Sequence, residues 1–563
     1  RVQAYSNPLW MFLVVPFYWL SGEIYYTVVL LSVGVSLAAL WVCCTRFAAS
    51  GPSALLAGCV LVCSKAFTDY STSGLENPLT HLLLALFYAL YLDRWQRRET
   101  IFWLALLAAL ATVNRLDAIL LFAPALGYAL WWHRGGVAIC GLGFAPLVLW
   151  ELFSLVYYGF PFPNTAYAKL CTGVPFWDRL SHGVAYLLNS LRVDLLTPLA
   201  TAAGLVAAGR SRDRAAWALA AGGVLYLLYV VYIGGDFMSG RFLAAPFWGA
   251  VILGFHCFDV RRPRVWVSIF CTSVAAAMWA PHTPFLSSGD YAPGHGIAAA
   301  HMDERGKFYQ SSGLLPKWRK EADGLYPDHW WARRASAVRQ GNLRPELRSS
   351  LWEGSLVVRS THDSTVVAAW SAIGYSGFFA GPGVHIVDPI ALPDPLLARL
   401  PARDDPDATP GHFRRIMPEG YLETHITGVN QLADPGLKRY YDALLVVVRG
   451  DLVSRRRFSE IWRLNTGAYD DLIDRDFYRY PSPIEFALSE VRMEPGNPES
   501  HFGLAWEYFK LQDDERAIDA LNDAIELNPA SFLNFTLAGK MLDSQDYGAL
   551  AEAAFRQALR NSE

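Results

Sequence analysis

Cysteine is missing from the sequence beyond Cys271, and charge of either sign is scarce, at 18% of the 563 residues with a net balance of −3. So even a balance excludes the basic footprint of a nucleic-acid binder. The eight cysteines are Cys43, Cys44, Cys59, Cys63, Cys140, Cys171, Cys257 and Cys271. Seven lie within or beside apolar runs, in no disulfide ladder and at no metal-ligand spacing, so they read as small apolar residues rather than redox groups. No Asp/His cluster points to a tightly held metal. The chain opens at Arg1 rather than Met, with no signal peptide before it, and is expected to be a fragment or a processed form.

What the sequence has in abundance is apolar surface, 53% of residues with 20 Trp among them, unevenly spread. Up to about Ala280 it is a series of apolar runs; beyond that point charge and proline rise to globular levels. A bilayer core takes about 20 apolar residues per helix. On that measure we expect ten spans, at 24–45, 52–67, 79–92, 100–114, 117–132, 136–158, 193–209, 214–233, 243–258 and 264–281. The stretch Pro8–Leu20 is too short and is expected to be interfacial. Basic residues stay cytoplasmic, and one alternate set of loops carries Arg46; Arg94, Arg97 and Arg98; Arg134; Arg210, Arg212 and Arg214; and Arg261, Arg262 and Arg264. The opposite set is poor in Lys and Arg. The orientation predicted puts everything after Ala280 outside the cytoplasmic membrane.

Polar residues near membrane level are costly and default to functional hypotheses. Four outer loops carry them: Asp69–Pro78 with Glu76; Asn114-Arg115-Leu-Asp117; Phe160–Lys169 with Asn164, Tyr167 and Lys169; and Gly234–Arg241 with Asp236. All four belong to one end of the predicted bundle. Each has a bland alternative. Arg115 pairs with Asp117 at a helix start, Asn164 caps the next helix, Glu76 favours a helix N-terminus, and Asp236 sits in a turn made by two glycines.

From about Pro284 to Tyr480 the chain reads as a mixed α/β domain. Leu356-Val-Val, Thr365–Trp370 and Ala443–Val448 suit buried strands, and Arg403–Asp407 suits a solvated loop. The tail repeats with the roughly 34-residue tetratricopeptide period. Ala505, Ala517, Ala524 and Pro529 fit its pattern, and Gly539, Ala551 and Ala558 follow one period later, as Phe555 follows Leu521. About one and a half to two helical hairpins are expected, serving either as a docking surface or as a cap on the outer domain.

The segments Arg1–Trp10, Ser73-Gly-Leu-Glu76, Arg115-Leu-Asp117, Phe162-Pro-Asn-Thr165 with Lys169, Gly235-Asp236 with Arg241-Phe242, Gly374-Tyr-Ser, Val387-Asp388-Pro and Gly411–Tyr421 carry a likeness. In their order and placement the chain resembles the GT-C superfamily of polytopic glycosyltransferases, and is most similar to its terminal β-(1→2)-arabinofuranosyltransferase family. The tail departs from that family. The expected fold is therefore an α-helical polytopic membrane module of GT-C type (1–283), an extracytoplasmic α/β domain (284–480) and tetratricopeptide-like hairpins (481–563).

The resemblance implies a polyprenyl-phosphate sugar donor, an envelope glycan or glycolipid as acceptor, and inverting transfer outside the cytoplasmic membrane. It also implies an acidic catalytic base in a loop upstream of Arg1. Such chemistry needs a carboxylate to take the acceptor proton and cations to stabilise the departing phosphate. Lys169 and Arg241 are the expected phosphate ligands, with Asp236, Arg115, Asp117, Asn164 and Tyr167 around the donor. Glu76 and Asp69 are the acids left in this chain. Tyr5, Asn7 and Trp10 are expected along the acceptor groove, unless they are simply interfacial aromatics and their neighbours. A divalent cation bridging the phosphate stays open. The rival readings are a transporter or flippase, which would place charges near the midplane, and a non-catalytic scaffold that recruits protein partners through the tail.

Overall fold

The computed structural model describes residues 1–258, 262–285, 301–319, 329–341, 356–371, 373–405, 410–544 and 548–562. Arg261 and Asp407, used above, lie outside the described residues. The first part of the chain is a packed set of apolar helices. Two of them, Ile24–Arg46 and Arg214–Tyr232, are each long and apolar enough to cross a bilayer. Three further pairs pass only together: Gly51–Cys63 with Lys65–Ser71, Val137–Gly143 with Ala145–Tyr157, and Phe176–Val193 with Leu196–Arg210, bent by 83°, 57° and 108°. Among the described residues, length and composition thus allow up to five spans, where ten were expected.

The breaks have local causes. Ser64 ends one helix and caps the next, its Oγ accepting from the Phe67 N–H at 3.1 Å. Asp194 interrupts the third pair: its carboxylate accepts from the Thr197 hydroxyl (2.6 Å) and from the Ala66 N–H (2.8 Å). Ser64 and Thr197 also share a hydrogen bond of 2.6 Å, so two kinks are tied at their corners. The expected spans 52–67, 136–158 and 193–209 are thus arms of bent elements. Phe176–Val193 carries Asp178, Arg179 and Arg192, charge enough to hide it among the apolar runs. Close approach depends on glycine at two crossings. A Cβ at Gly204 would lie 2.0 Å from the Ala250 carbonyl oxygen, and one at Gly222 would lie 2.3 Å from that of Leu121. Basic loops meet at the helix ends opposite the loop that carries Glu76, where Arg46 pairs with Asp93 at 3.6 Å and Arg98 donates to the Gly135 carbonyl at 2.9 Å.

The second part is mostly helical around a small sheet of β1 (Val357–Arg359), β2 (Val366–Ala369) and β3 (Val384–Val387). β1 pairs antiparallel with β2, and β2 pairs parallel with β3 through the crossover helix Ile373–Ala380. The expected strand Ala443–Val448 is instead part of the helix Pro435–Arg449. Asp434 caps that helix, Pro435 opens it, and Leu437, Tyr440, Tyr441, Leu444, Val447 and Val448 bury one face at helical spacing. Two buried arginines fasten this part to the helices. Arg457 donates to the carbonyls of Val156 (2.6 Å) and Tyr157 (2.9 Å), and Arg415 to that of Ala168 (2.6 Å). In the tail, Pro498–Lys510 pairs with Asp514–Leu527 and Phe532–Ser544 with Gly548–Ser562. Ala505, Ala517 and Ala524 are fully buried between the first two.

Candidate functional site

Glu76 stands just before the helix Asn77–Arg94, with 1% of its surface exposed. Its Oε1 accepts from Arg115 Nη1 at 2.9 Å and from Arg241 Nη2 at 3.1 Å, and its Oε2 accepts from Asn7 Nδ2 at 3.2 Å. Arg115 in turn forks onto Asp117, Nε to Oδ1 at 2.6 Å and Nη2 to Oδ2 at 2.9 Å. Its guanidinium carbon lies 4.3 Å from the Phe242 ring centre. Arg241 continues the chain to Asp236 at 3.5 Å. Three loops far apart in sequence therefore form one charge network. Burial opposes the charge on Glu76, but Arg241 and Arg115 prevail and hold its carboxyl at about 2.

Lys169 joins from the short helix Asn164–Leu170. A methyl group at Gly411 would lie 3.3 Å from Lys169 Nζ and 3.7 Å from Asp236 Oδ1, so both side chains crowd the same glycine, whose φ is +81°. No hydrogen bond or ion pair occupies Lys169 Nζ among the described residues. Burial lowers its pKa, and Asp236 works the other way. Beside it, His412 sets its ring edge-on to Phe237, 4.0 Å between centres. Burial, then Lys169, brings His412 down to about 4, which keeps it neutral. His412 Nδ1 and Arg241 Nε are buried without a hydrogen-bond partner among the described residues.

A second charged group adjoins the first. Asp69 pairs with Lys65 at 2.6 Å and Arg305 at 3.0 Å, and Lys65 also reaches Asp303 at 3.2 Å. The Tyr70 hydroxyl donates to the Ser239 carbonyl at 2.9 Å, joining the two groups.

The remaining expected residues fall into two sets. Asn7 and Trp10 touch the network: Trp10 Nε1 donates to the Gly74 carbonyl at 2.8 Å, in the loop that carries Glu76. Tyr5 bonds to the Tyr158 hydroxyl at 2.7 Å. Asn164 is spent on structure. Its amide donates to the carbonyls of Ala391 (3.2 Å), Leu392 (3.0 Å) and Asp394 (2.9 Å), and its oxygen accepts from Arg399. Tyr167 stacks under that same Arg399 at 4.3 Å. These two seat the lysine-bearing helix on the second part of the chain and do not reach the charge network by any contact described.

Sequence reasoning did not single out Lys65, Asp303, Arg305 and His412, which stand in or beside these charged groups. Lys65 lay inside an expected span. His412 did carry a signal, since it follows Gly411 in a segment already singled out. Residues 301–305 carried none beyond an acidic cap, Asp303 accepting from the Gly306 N–H at 2.9 Å. Among the described residues no group of three or more His, Cys, Asp or Glu side chains is arranged to hold a metal ion.

Residues 498–531 match the tetratricopeptide repeat. The chain is 28% identical to the terminal beta-(1->2)-arabinofuranosyltransferase of Mycobacterium tuberculosis (strain ATCC 25618 / H37Rv) over 294 residues, covering 44% of this chain and 46% of that protein. The chain thus spans about half the length of the curated relative it matches. No solved structure matches it.

Proposed function

We propose that this chain is a membrane glycosyltransferase that moves a sugar, a pentofuranose such as arabinofuranose, from a polyprenyl-phosphate donor to an envelope glycan or glycolipid on the outer face. The observation that carries the reading is the meeting of Lys169, Arg115 and Arg241 with Glu76, Asp117 and Asp236 at one end of the helices. A lipid phosphate is anchored in the bilayer and presents its charge at the surface. Cationic side chains gathered at that level would answer both properties.

In this reading Lys169 binds the phosphate, because its ammonium, unlike the Arg115 and Arg241 guanidinium groups, is committed to no carboxylate among the described residues. Arg241 contributes its unpartnered Nε. The acceptor oxygen forms a bond to the anomeric carbon as the bond from that carbon to the phosphate oxygen breaks. The electron pair leaves on polyprenyl phosphate, where both cations stabilise it. Glu76 acts as the anchor that aims Arg115 and Arg241.

The test is a membrane assay of the full-length protein with a panel of radiolabelled polyprenyl-phosphate sugars. Wild type is expected to transfer label from one of them. Lys169→Ala and Arg241→Ala are expected to lower turnover by roughly 10²-fold or more, the usual cost of losing one charge-stabilising donor. Variants that turn over like wild type would remove the phosphate assignment.

A further inference from the structure

The chain leaves the helix Ala145–Tyr157 through a corner at residues 156–159, and the helix Arg455–Asn465 closes that corner. Arg457, fully buried, donates to the last carbonyls of the first helix, Val156 at 2.6 Å and Tyr157 at 2.9 Å. At the far end of the second helix, Asn465 Nδ2 donates to the Gly159 carbonyl at 2.9 Å. A methyl group at Gly159 would lie 3.3 Å from Ile461 Cγ1, so the middle of that helix is seated there too.

The two helices share an exposed surface. On Ala145–Tyr157 the outward side chains Leu149, Leu152, Phe153 and Val156 are all apolar, the composition of a surface that meets lipid. Together with Val137–Gly143 this helix forms one of the bent pairs apolar enough to cross a bilayer. On this helix the apolar run ends at Val156, where Tyr157 and Tyr158 pack against Phe153 at 5.2 and 5.9 Å between ring centres. Such rings mark the edge of a bilayer. Arg455–Asn465 is fastened at that level. It buries Arg457 and Ile461 and turns Phe458 and, one turn on, Trp462 outward. Trp462 is 72% exposed, and Val453, in the turn before the helix, is 84% exposed. Arg455, Arg456 and Arg463 are exposed around them. Arg463 pairs with the largely buried Glu460 at 3.6 Å, whereas Arg455 and Arg456 have no ion pair among the described residues. Asp451 is the exposed acid of this stretch, so three arginines leave the surface positive. A lone exposed aromatic is ordinary on a soluble surface. Three large apolar side chains beside arginines, at the height where lipid-facing surface stops, are not.

We propose that Arg455–Asn465 is an interfacial helix that rests on the membrane. Phe458 and Trp462 enter the headgroup layer, and Arg455 and Arg456 bind the phosphates of anionic lipids. The rings meet acyl chains on one side while the indole N–H stays within reach of polar groups. The guanidinium groups fork onto phosphate oxygens. This goes beyond the sugar-transfer reading and does not depend on it. It also gives the corner a purpose. The chain runs from Gly159 into the helix Asn164–Leu170, so a neighbour fixed at the surface holds Lys169 near the level of lipid phosphates.

The experiment places bimane at Trp462→Cys in the full-length protein in nanodiscs, with the exposed Cys171 and Cys271 replaced (Cys171→Ser, Cys271→Ser). The same protein without the new cysteine gives the background. Phosphatidylcholine or phosphatidylglycerol carrying a nitroxide high on the acyl chain is expected to quench the label, phosphatidylglycerol more strongly. Arg455→Gln with Arg456→Gln should remove that preference, by up to roughly fivefold per arginine. Phe458→Cys, one turn earlier, should behave as Trp462→Cys does. A label that neither lipid quenches overturns the proposal. Quenching by acrylamide in its place puts the helix in water, and quenching by nothing puts it under protein, such as a second copy of this chain. Equal quenching by the two lipids overturns the role of the two arginines.

Discussion

A carboxylate held by two guanidinium groups takes up a proton only under strong acid, and removing it leaves two buried cations facing each other. Glu76 is in that position, with Arg115 and Arg241 each about 15% exposed (15% and 14% at the side chain). Glu76→Gln is therefore expected to cost about 3 kcal/mol of stability, the lower end for breaking a buried pair from one side. A thermal-denaturation series in detergent measures it. A change below about 0.5 kcal/mol would mean the network is wetter and looser than its distances say. The sequence made this network legible because a charge beside an apolar run is conspicuous: Glu76, Arg115, Asp117, Asp236 and Arg241 were all marked that way. It could not show which partner each would take, since Asp117 binds the arginine two residues before it and Glu76 binds two from distant loops. Nor could it mark Asp303 or Arg305, which sit in ordinary polar sequence where nothing announces their pairing with Lys65 and Asp69.

Elements were legible where one physical signal decided them. Long apolar helices such as Ile24–Arg46 and the capped, amphipathic tail helices follow from period and composition alone. Bends escaped, because a kink at Ser64 or Asp194 depends on which carbonyls and hydroxyls a neighbouring helix offers. Ala443–Val448 escaped as well, a valine-rich run whose cap nine residues earlier outweighs its strand preference. The turn after β3 carries a consequence of its own. Asp388 accepts from the N–H groups of Ile390 and Leu392, both at 3.0 Å, and is 1% exposed. Burial, above all, raises it to about 7, and Asp394 in the same turn to about 6. Both folded values lie above the ordinary one of 3.8. The stability they contribute is thus complete below that value and lost as pH rises through 6 to 7. As far as these two groups decide, the second part should be hardest to unfold near pH 4 and easier by several kcal/mol at pH 8. Asp388→Asn should flatten the upper portion of that decline and leave the part due to Asp394. A stability that climbs from pH 5 to pH 8 in wild type would contradict the assignment.

On the scale of the whole chain, the polar pocket is a joint property of parts that the sequence presents in succession. Loops between the apolar helices supply its acids and arginines, the Asn164–Leu170 helix supplies Lys169, and the second part of the chain supplies Gly411, His412 and the clasp of Arg415 on the Ala168 carbonyl. The tail stands differently. Its first helix, Pro483–Met493, belongs to two cores at once. Ser489 Oγ accepts from the Met417 N–H at 2.9 Å, and Glu490 binds Arg403 at 2.8 Å and Arg414 at 3.0 Å, while Ala487 packs among the repeat helices. Beyond it, the matched repeat at 498–531 and the hairpin that follows contribute no residue to the pocket among the contacts described. Two truncations of the full-length protein should therefore part company. Ending the chain after Gly496 removes only repeat helices, and sugar transfer should stay within about threefold of wild type. Ending it after Tyr480 also uncovers Met417, takes both acidic partners from Arg414 and leaves Arg403 with Asp405 alone. That loss should lower the melting temperature of the second part by several degrees, at about 2–4 °C per kcal/mol for a unit of this size, and transfer should fall with it. Equal loss of transfer in both truncations would instead make the repeats essential to activity, as a scaffold that presents the acceptor would require.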